Sequence, residues 1–275
     1  MSEHGGEPPV PEIPPPPPPE VPPPPGAPAY PVAPGAGFPR LDAQVPWGPL
    51  ESVMVGILAI VVGSLLGAGL ILATGTLKSC GGQTVFGLVG TEAGLVATVV
   101  FWIRCVKRAP LSLLGFPTRP LGDVVTGLAG GVILYIAALA ISVAVVAVVT
   151  VVIGHQPTAP EQVESCVSGP WFVLTGLSAS LLAPLGEETL FRGFIFQGLR
   201  TRFALWSAVV LDGILFGLIH IPFWLIVPSL AAVGCGLAII YNRRHSLLAS
   251  MTAHCVFNVI GIVAIELDRV LSHAH

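Results

Sequence analysis

Residues 171–199 read WFVLTGLSASLLAPLGEETLFRGFIFQGL, an apolar run interrupted by Glu187, Glu188 and Arg192. Its length suits a helix crossing a ~30 Å hydrocarbon layer, which takes about 20 residues. Each ion at mid-bilayer costs roughly 2.5–3.5 kcal/mol, however, while each Leu, Ile or Phe returns only about 0.3–0.6. Such a helix inserts poorly alone, so its charges must face protein or water. Two adjacent carboxylates with a guanidinium one turn beyond Glu188 have the look of a reaction centre.

The rest of the chain supplies the surroundings that this helix needs. Hydrophobic residues make up 53% and charged residues 10%, with a mean hydropathy of +0.84, too apolar for a soluble domain of 275 residues. Apolar stretches recur at Leu50–Thr74, Thr84–Arg104, Asp123–Ile153, Pro170–Leu199, Ala204–Ile221, Phe223–Tyr241 and Ser246–Leu267. The expected fold is all-α, a polytopic transmembrane helical bundle of about seven membrane spans, with membrane lipid as its surroundings. The net charge of −3 and the lack of any basic patch interleaved with aromatics argue against nucleic acid as a partner.

Residues 1–48 follow a different logic. Prolines run through Pro8, Pro9, Pro14–Pro19 and Pro22–Pro25, and a chain so poor in donors and apolar side chains favours solvated polyproline II over packing. This segment is expected to be a disordered proline-rich cytoplasmic tail, a spacer or a docking site for a proline-binding module. It lacks the basic start and following apolar stretch of a signal peptide. Two N-terminal transmembrane helices within 49–110 and a core at 111–268 complete the expected division.

Basic residues orient the bundle, because Lys and Arg accumulate on the cytoplasmic side. With the N-terminus cytoplasmic, the inner connections hold Arg40, Arg104, Lys107, Arg108, Arg119, Arg200, Arg202, Arg243 and Arg244, leaving Lys78 and Arg269 outside. Short loops and the proline-rich tail fit a bacterial plasma membrane protein. The segment Leu111–Pro117, apolar but broken by Gly and Pro, is expected along the inner interface. Glycine pairs at four-residue spacing, Gly63/Gly67, Gly127/Gly131 and Gly213/Gly217, mark close helix approaches. Cys80 and Cys166 fall on the same outer face, where a bridge is permitted.

Polar residues in the last four spans recur four apart: Glu188 and Arg192, then Asp212, Phe216 and His220, then His254 and Asn258. That spacing places each set on one helix face. A carboxylate and an imidazole around one water form a general base, and a second imidazole and an amide supply donors for a developing oxyanion. The inventory suits peptide hydrolysis. Asp212 is either an orienting group for His220 or a polar residue near the inner surface, and Glu92 stands in the second span without an evident partner.

Glu187-Glu188-Thr-Leu-Phe-Arg192, Phe216-Gly-Leu-Ile-His220 and His254-Cys-Val-Phe-Asn258 resemble the EExxxR, FxxxH and HxxxN motifs of the CAAX prenyl protease and bacteriocin-processing (CPBP or Abi) family. The similarity covers roughly Leu111–Leu267. It implies an intramembrane CAAX-type endopeptidase acting on a membrane-associated protein or peptide. Carried over by motif, Glu187 activates water with His220 as its partner, His254 and Asn258 stabilise the oxyanion, and Glu188 pairs with Arg192. Phe216 and Asp212 stand beside these as substrate-contacting or supporting residues. The resemblance leaves room for zinc on Glu187, His220 and His254, although a metal-free mechanism suits Asn258 better.

Two other functions fit the same residues. A non-catalytic relative would confer bacteriocin immunity or scaffold partners, and a transporter or proton relay also uses intramembrane Glu, His and Asp. The protease also faces a geometric demand, since counting from the span boundaries puts Glu187, His220 and His254 at different depths. Pro184 and Gly186 are expected to bend their helix, with Pro184 freeing the carbonyl of Ser180. A fifth span starting below the membrane surface, with Phe203 and Trp206 interfacial, would lower His220.

Overall fold

In the computed structural model, residues 45–117, 119–157 and 169–272 are described. The proline-rich stretch and Cys166 lie outside them. All regular structure among the described residues is helical. Pro49–Ala73 (α1) and Cys80–Phe101 (α2) form a hairpin, with α2 running on through a wide π-turn, Trp102–Val106. Pro120–Ile153 forms α3. Pro170–Leu177 (α4), Ala183–Leu190 (α5) and Gln197–Arg200 (α6) form one rod joined by π-turns at Ser178–Leu182 and Phe191–Phe196. Leu205–Leu218 (α7), Val227–Arg244 (α8) and Leu247–Ser272 (α9) complete the bundle.

Four helical stretches are long and apolar enough to cross a membrane: α1, α2 with its π-turn (Cys80–Val106), α3 and α9. The chain is an integral membrane protein. The remaining predicted spans are more broken. The rod is interrupted twice, α7 has 14 residues, and α8 ends in Asn242, Arg243 and Arg244, which dilute its hydropathy. The rod carries the charges and is the best protected element, with every residue from Gly186 to Leu199 buried. Around it stand α1, α2, α7, α8 and α9, whereas α3 packs on α8 and α9 and is exposed along most of its length. Burial therefore follows charge, so that the helix lipid would reject is the one wrapped in protein.

Small residues make this wrapping tight. A Cβ on Gly94 of α2 would land on the Gly63 backbone of α1, and one on Gly90 would land on Gly67. Gly127 and Gly131 of α3 meet Thr252, Ala249, Ala253 and Val256 of α9, and Gly213 and Gly217 of α7 meet Ala231, Cys235 and Val227 of α8. All three predicted pairs are close approaches, as expected where packing rather than water expulsion drives helix association.

One reading of the flanks changes. The expected tail reaches Gly48, yet Val45 and Trp47 are buried, Trp47 at 3% exposure. An indole carries an N–H that needs a partner when buried. Trp47 donates it to the carbonyl of Phe194, 3.0 Å away, and its ring stacks on Phe194 at 4.7 Å. The segment Leu111–Leu114 is a 3₁₀ turn too short to cross, with Leu114 buried against the bundle while Ser112 and Phe116 stay exposed. Leu113 O accepts from Gln197, Leu114 O from the Tyr241 hydroxyl, and Gly115 O from the Leu247 amide. Cys80 is disulfide-bonded, and its expected partner Cys166 lies outside the described residues.

The α1–α2 contact yields a matched pair of substitutions. Gly94→Val forces a branched side chain onto the Gly63 backbone, whereas nothing stands within 4 Å of a Cβ on Gly69. Thermal unfolding in detergent should register a loss of about 1–3 kcal/mol for Gly94→Val and none for Gly69→Val; equal behaviour of the two would contradict this packing.

Candidate functional site

Arg192 is the organising group. It sits at 0% exposure in the second π-turn of the rod and reaches Glu188 Oε1, one turn back, at 2.8 Å. Its Nη2 donates to the carbonyl of Gly234 in α8 at 2.9 Å, and its Nε lies 3.5 Å from Asp212 Oδ2 in α7. The guanidinium also lies over the Phe216 ring, 4.7 Å from its centroid. One cation thus ties the rod to α7 and α8 through opposite charge, a backbone acceptor and an aromatic face.

Glu188 passes this order to α9. The oxygen that binds Arg192 also lies 3.0 Å from His254 Nδ1. A carboxylate only accepts, so Nδ1 carries a proton, and a ring neutral in that tautomer would keep its lone pair at Nε2. That nitrogen faces Glu187 Oε2 at 3.8 Å. The separation is too long for a direct hydrogen bond. Glu187 is almost as buried as its neighbour, at 9% exposure.

Asn258, one turn after His254, donates through Nδ2 to the carbonyl of Ala179 at 2.7 Å. Backbone chemistry explains the pairing. In the π-turn the Ala183 amide bonds Ser178 O, and the next position is Pro184, which has no N–H. The Ala179 carbonyl is left without a helical donor, and Asn258 replaces it. The predicted disturbance at Pro184 thus takes the form of a widened turn, and the carbonyl that gains a side-chain partner is Ala179 rather than Ser180. Asn258 retains a second amide hydrogen.

His220 stands apart. Helix α7 ends at Leu218, so His220 lies in the turn that follows instead of on the α7 face. Its Nδ1 pairs with the Phe216 carbonyl at 3.0 Å. Among the described residues no hydrogen bond or ion pair joins it to Glu187 or Asp212. It meets the cluster through Phe216, whose ring lies 5.4 Å from the His220 ring and 5.7 Å, edge-on, from that of His254. Asp212 faces Arg192, not His220.

Among the described residues no three His, Cys, Asp or Glu side chains converge in a metal-holding arrangement. The bonds at Nδ1 of His254 and of His220 leave each Nε2 available, so the misfit to a three-ligand zinc centre lies only in that lack of convergence, and no step is routed through a metal below.

Residues 169–260 match the family described as type II CAAX prenyl endopeptidase Rce1-like. The match covers 92 of the 275 residues. It is also 31% identical over 88 residues to UPF0177 protein YxdF of Lactococcus lactis, covering 32% of this chain and 48% of that protein. An uncharacterized 24.3 kDa protein of Escherichia coli is 31% identical over 98 residues, 34% of this chain and 45% of its own length. The chain spans about half the length of the curated relatives it matches. No solved structure gives a significant match. The Rce1-like segment contains Glu187, Glu188, Arg192, His220, His254 and Asn258 together.

Three groups escape motif reading. Gly234 contributes only a carbonyl, which no side-chain pattern reveals. Gln197 donates to Gly193 O and Leu113 O, holding the second π-turn from inside. Glu92 is the third: it is 5% exposed, and its carboxylate abuts Gly186, the neighbour of Glu187. Its buried acid was visible in the sequence; its place was not.

Removing Arg192 leaves Glu188 and Asp212 buried without their cation. Arg192→Ala should cost about 3–5 kcal/mol of unfolding free energy, measured by denaturation of the detergent-solubilised protein. A loss under about 1 kcal/mol, the range of surface ion pairs, would contradict the buried network.

Proposed function

We propose that this protein is an intramembrane endopeptidase in which Glu187 and His254 together activate one water. The observation that carries this reading is the 3.8 Å gap between Glu187 Oε2 and His254 Nε2, with His254 fixed through Nδ1 on Glu188. Two acceptors at that spacing are suited to a molecule with two hydrogens to give, and water is that molecule. Glu187 takes a proton as the water oxygen attacks a peptide carbonyl, while His254 holds the second hydrogen and orients the nucleophile. Glu188 and Arg192 keep the imidazole in its tautomer and do not enter the bond-making step.

The remaining amide hydrogen of Asn258 is available to the tetrahedral oxyanion. His254 here assumes the partner role that the motif assigned to His220, and His220 borders the site behind Phe216. The substrate is a membrane-associated protein or peptide whose scissile bond reaches the cluster from the side on which the basic loops lie. The Rce1-like family supports hydrolysis of a peptide bond as the class of reaction.

Comparative proteomics of C-termini in membranes carrying wild-type or Glu187→Ala protein tests the reading. New C-termini should appear with wild type only, while both proteins insert equally. His254→Ala should lower cleavage by about 10²–10⁴-fold, the usual weight of a general base. Persistence of the same C-termini in Glu187→Ala would overturn the proposal.

A further inference from the structure

Glu92 is an acid buried in α2 that neither the ion-pair network nor the water-activating pair uses. Its Oε2 is shielded and has no hydrogen-bond partner. A polar atom buried at membrane depth without a partner is costly, and intramembrane acids concentrate at functional sites. Two observations fix its place. A Cβ on Gly186 would fall on this oxygen, so the missing side chain there is what lets the carboxyl reach the turn carrying Glu187. Finally, Glu92 lines a cavity of about 430 Å³ between α2 and the rod. The other described lining residues, among them Val89, Val96, Leu182 and Leu185, are apolar.

A carboxyl without a cation, in an apolar wall beside a second carboxyl, is suited to act as a neutral acid. We propose that Glu92 is a further catalytic residue, the general acid that delivers a proton to the departing amine. This rests on the reading of Glu187 as the general base. As water attacks, its proton passes to Glu187 and its oxygen bonds the carbonyl carbon. The C–N bond of the tetrahedral intermediate then breaks as the Glu92 O–H gives its proton to nitrogen. The products are a carboxylic acid and an amine, with Glu187 protonated and Glu92 ionised. Transfer of the proton from Glu187 to Glu92 through water restores both. Two carboxyl groups with opposed protonation states divide acid and base work in this way.

The test uses the full chain in proteoliposomes and two quenched fluorescent peptides, each ending in an S-farnesyl cysteine followed by three residues. One carries the ordinary amide after that cysteine, and the other an ester at the same bond. An alcohol departs without prior protonation and an amine does not, so loss of the acid should fall on the amide alone. Glu92→Gln should cut amide turnover about 10²-fold or more, mostly in kcat, and leave ester turnover within about 3-fold of wild type. Gly186→Ala, which displaces the Glu92 carboxyl without altering it, should show the same selectivity, and Glu92→Asp should recover part of the amide rate. Glu187→Ala should abolish both. Parallel loss of amide and ester turnover in Glu92→Gln, or no loss, overturns the role of Glu92 while leaving that of Glu187 intact. Failure of wild type to cleave either peptide, or undiminished cleavage by Glu187→Ala, overturns the parent reading and this one with it.

Discussion

The ion pair between Glu188 and Arg192, both at 0% exposure, is the constraint to which the rest of the bundle answers. A guanidinium cannot be neutralised by deprotonation in a protein, so burying it requires that its donors find acceptors. The rod supplies Glu188, α7 supplies Asp212 and the Phe216 face, and α8 supplies the Gly234 carbonyl. Those helices come close enough because their contact residues are small: Gly213 and Gly217 of α7 press on the α8 backbone, and Gly234 of α8 presses on α7. Packing and electrostatics are one requirement here. If the helices separated by a methyl group's width, Arg192 would lose its acceptors; without Arg192, Glu188 would lose the cation that pairs with the oxygen facing His254.

Backbone irregularity at membrane depth obeys the same accounting, because no lipid replaces a missing hydrogen bond. The rod breaks α-helical pairing twice, on both sides of the carboxylates, and each break is closed by a side chain from another part of the chain or from within the turn. Asn258 closes the first at Ala179, beside Pro184. Gln197 closes the second at Gly193, and Trp47 adds a donor at Phe194, whose carbonyl also accepts the Gln197 amide. Wide turns of this kind recur at functional sites, and here they set Glu187 toward α9 and Arg192 toward α7 and α8. Asn258 therefore has a structural duty, since its amide secures the helix presenting Glu187, beside the chemical one proposed for it.

The sequence made the helical class, the membrane environment and the buried charges legible, because each follows from composition or from spacing within one helix. The pairing of Glu188 with Arg192 was legible for the same reason. Relations between helices were not. Whether His220 or His254 stands beside Glu187 depends on where α7 stops, and Pro222 marks that stop only to within a few residues, too coarsely to place His220. The position of Glu92 depends on α2 docking against Gly186, where the informative residue is informative by having no side chain. Trp47 was assigned to the tail because prolines precede it, although an isolated tryptophan at the start of a helix already hints at a buried anchor. Cys166 and residues 1–44 of the tail lie outside the described residues.

The proton position on His254 is the most direct test of this account, because every proposed step depends on Glu188 holding Nδ1–H so that Nε2 remains an acceptor toward Glu187. Nitrogen-15 spectroscopy of protein labelled at histidine, with His254 assigned by substitution, reads the tautomer directly. The account predicts a neutral ring protonated at Nδ1, which loses that preference in Glu188→Ala, where no side-chain acceptor remains. A ring protonated at Nε2, or one whose tautomer is indifferent to Glu188, would contradict it.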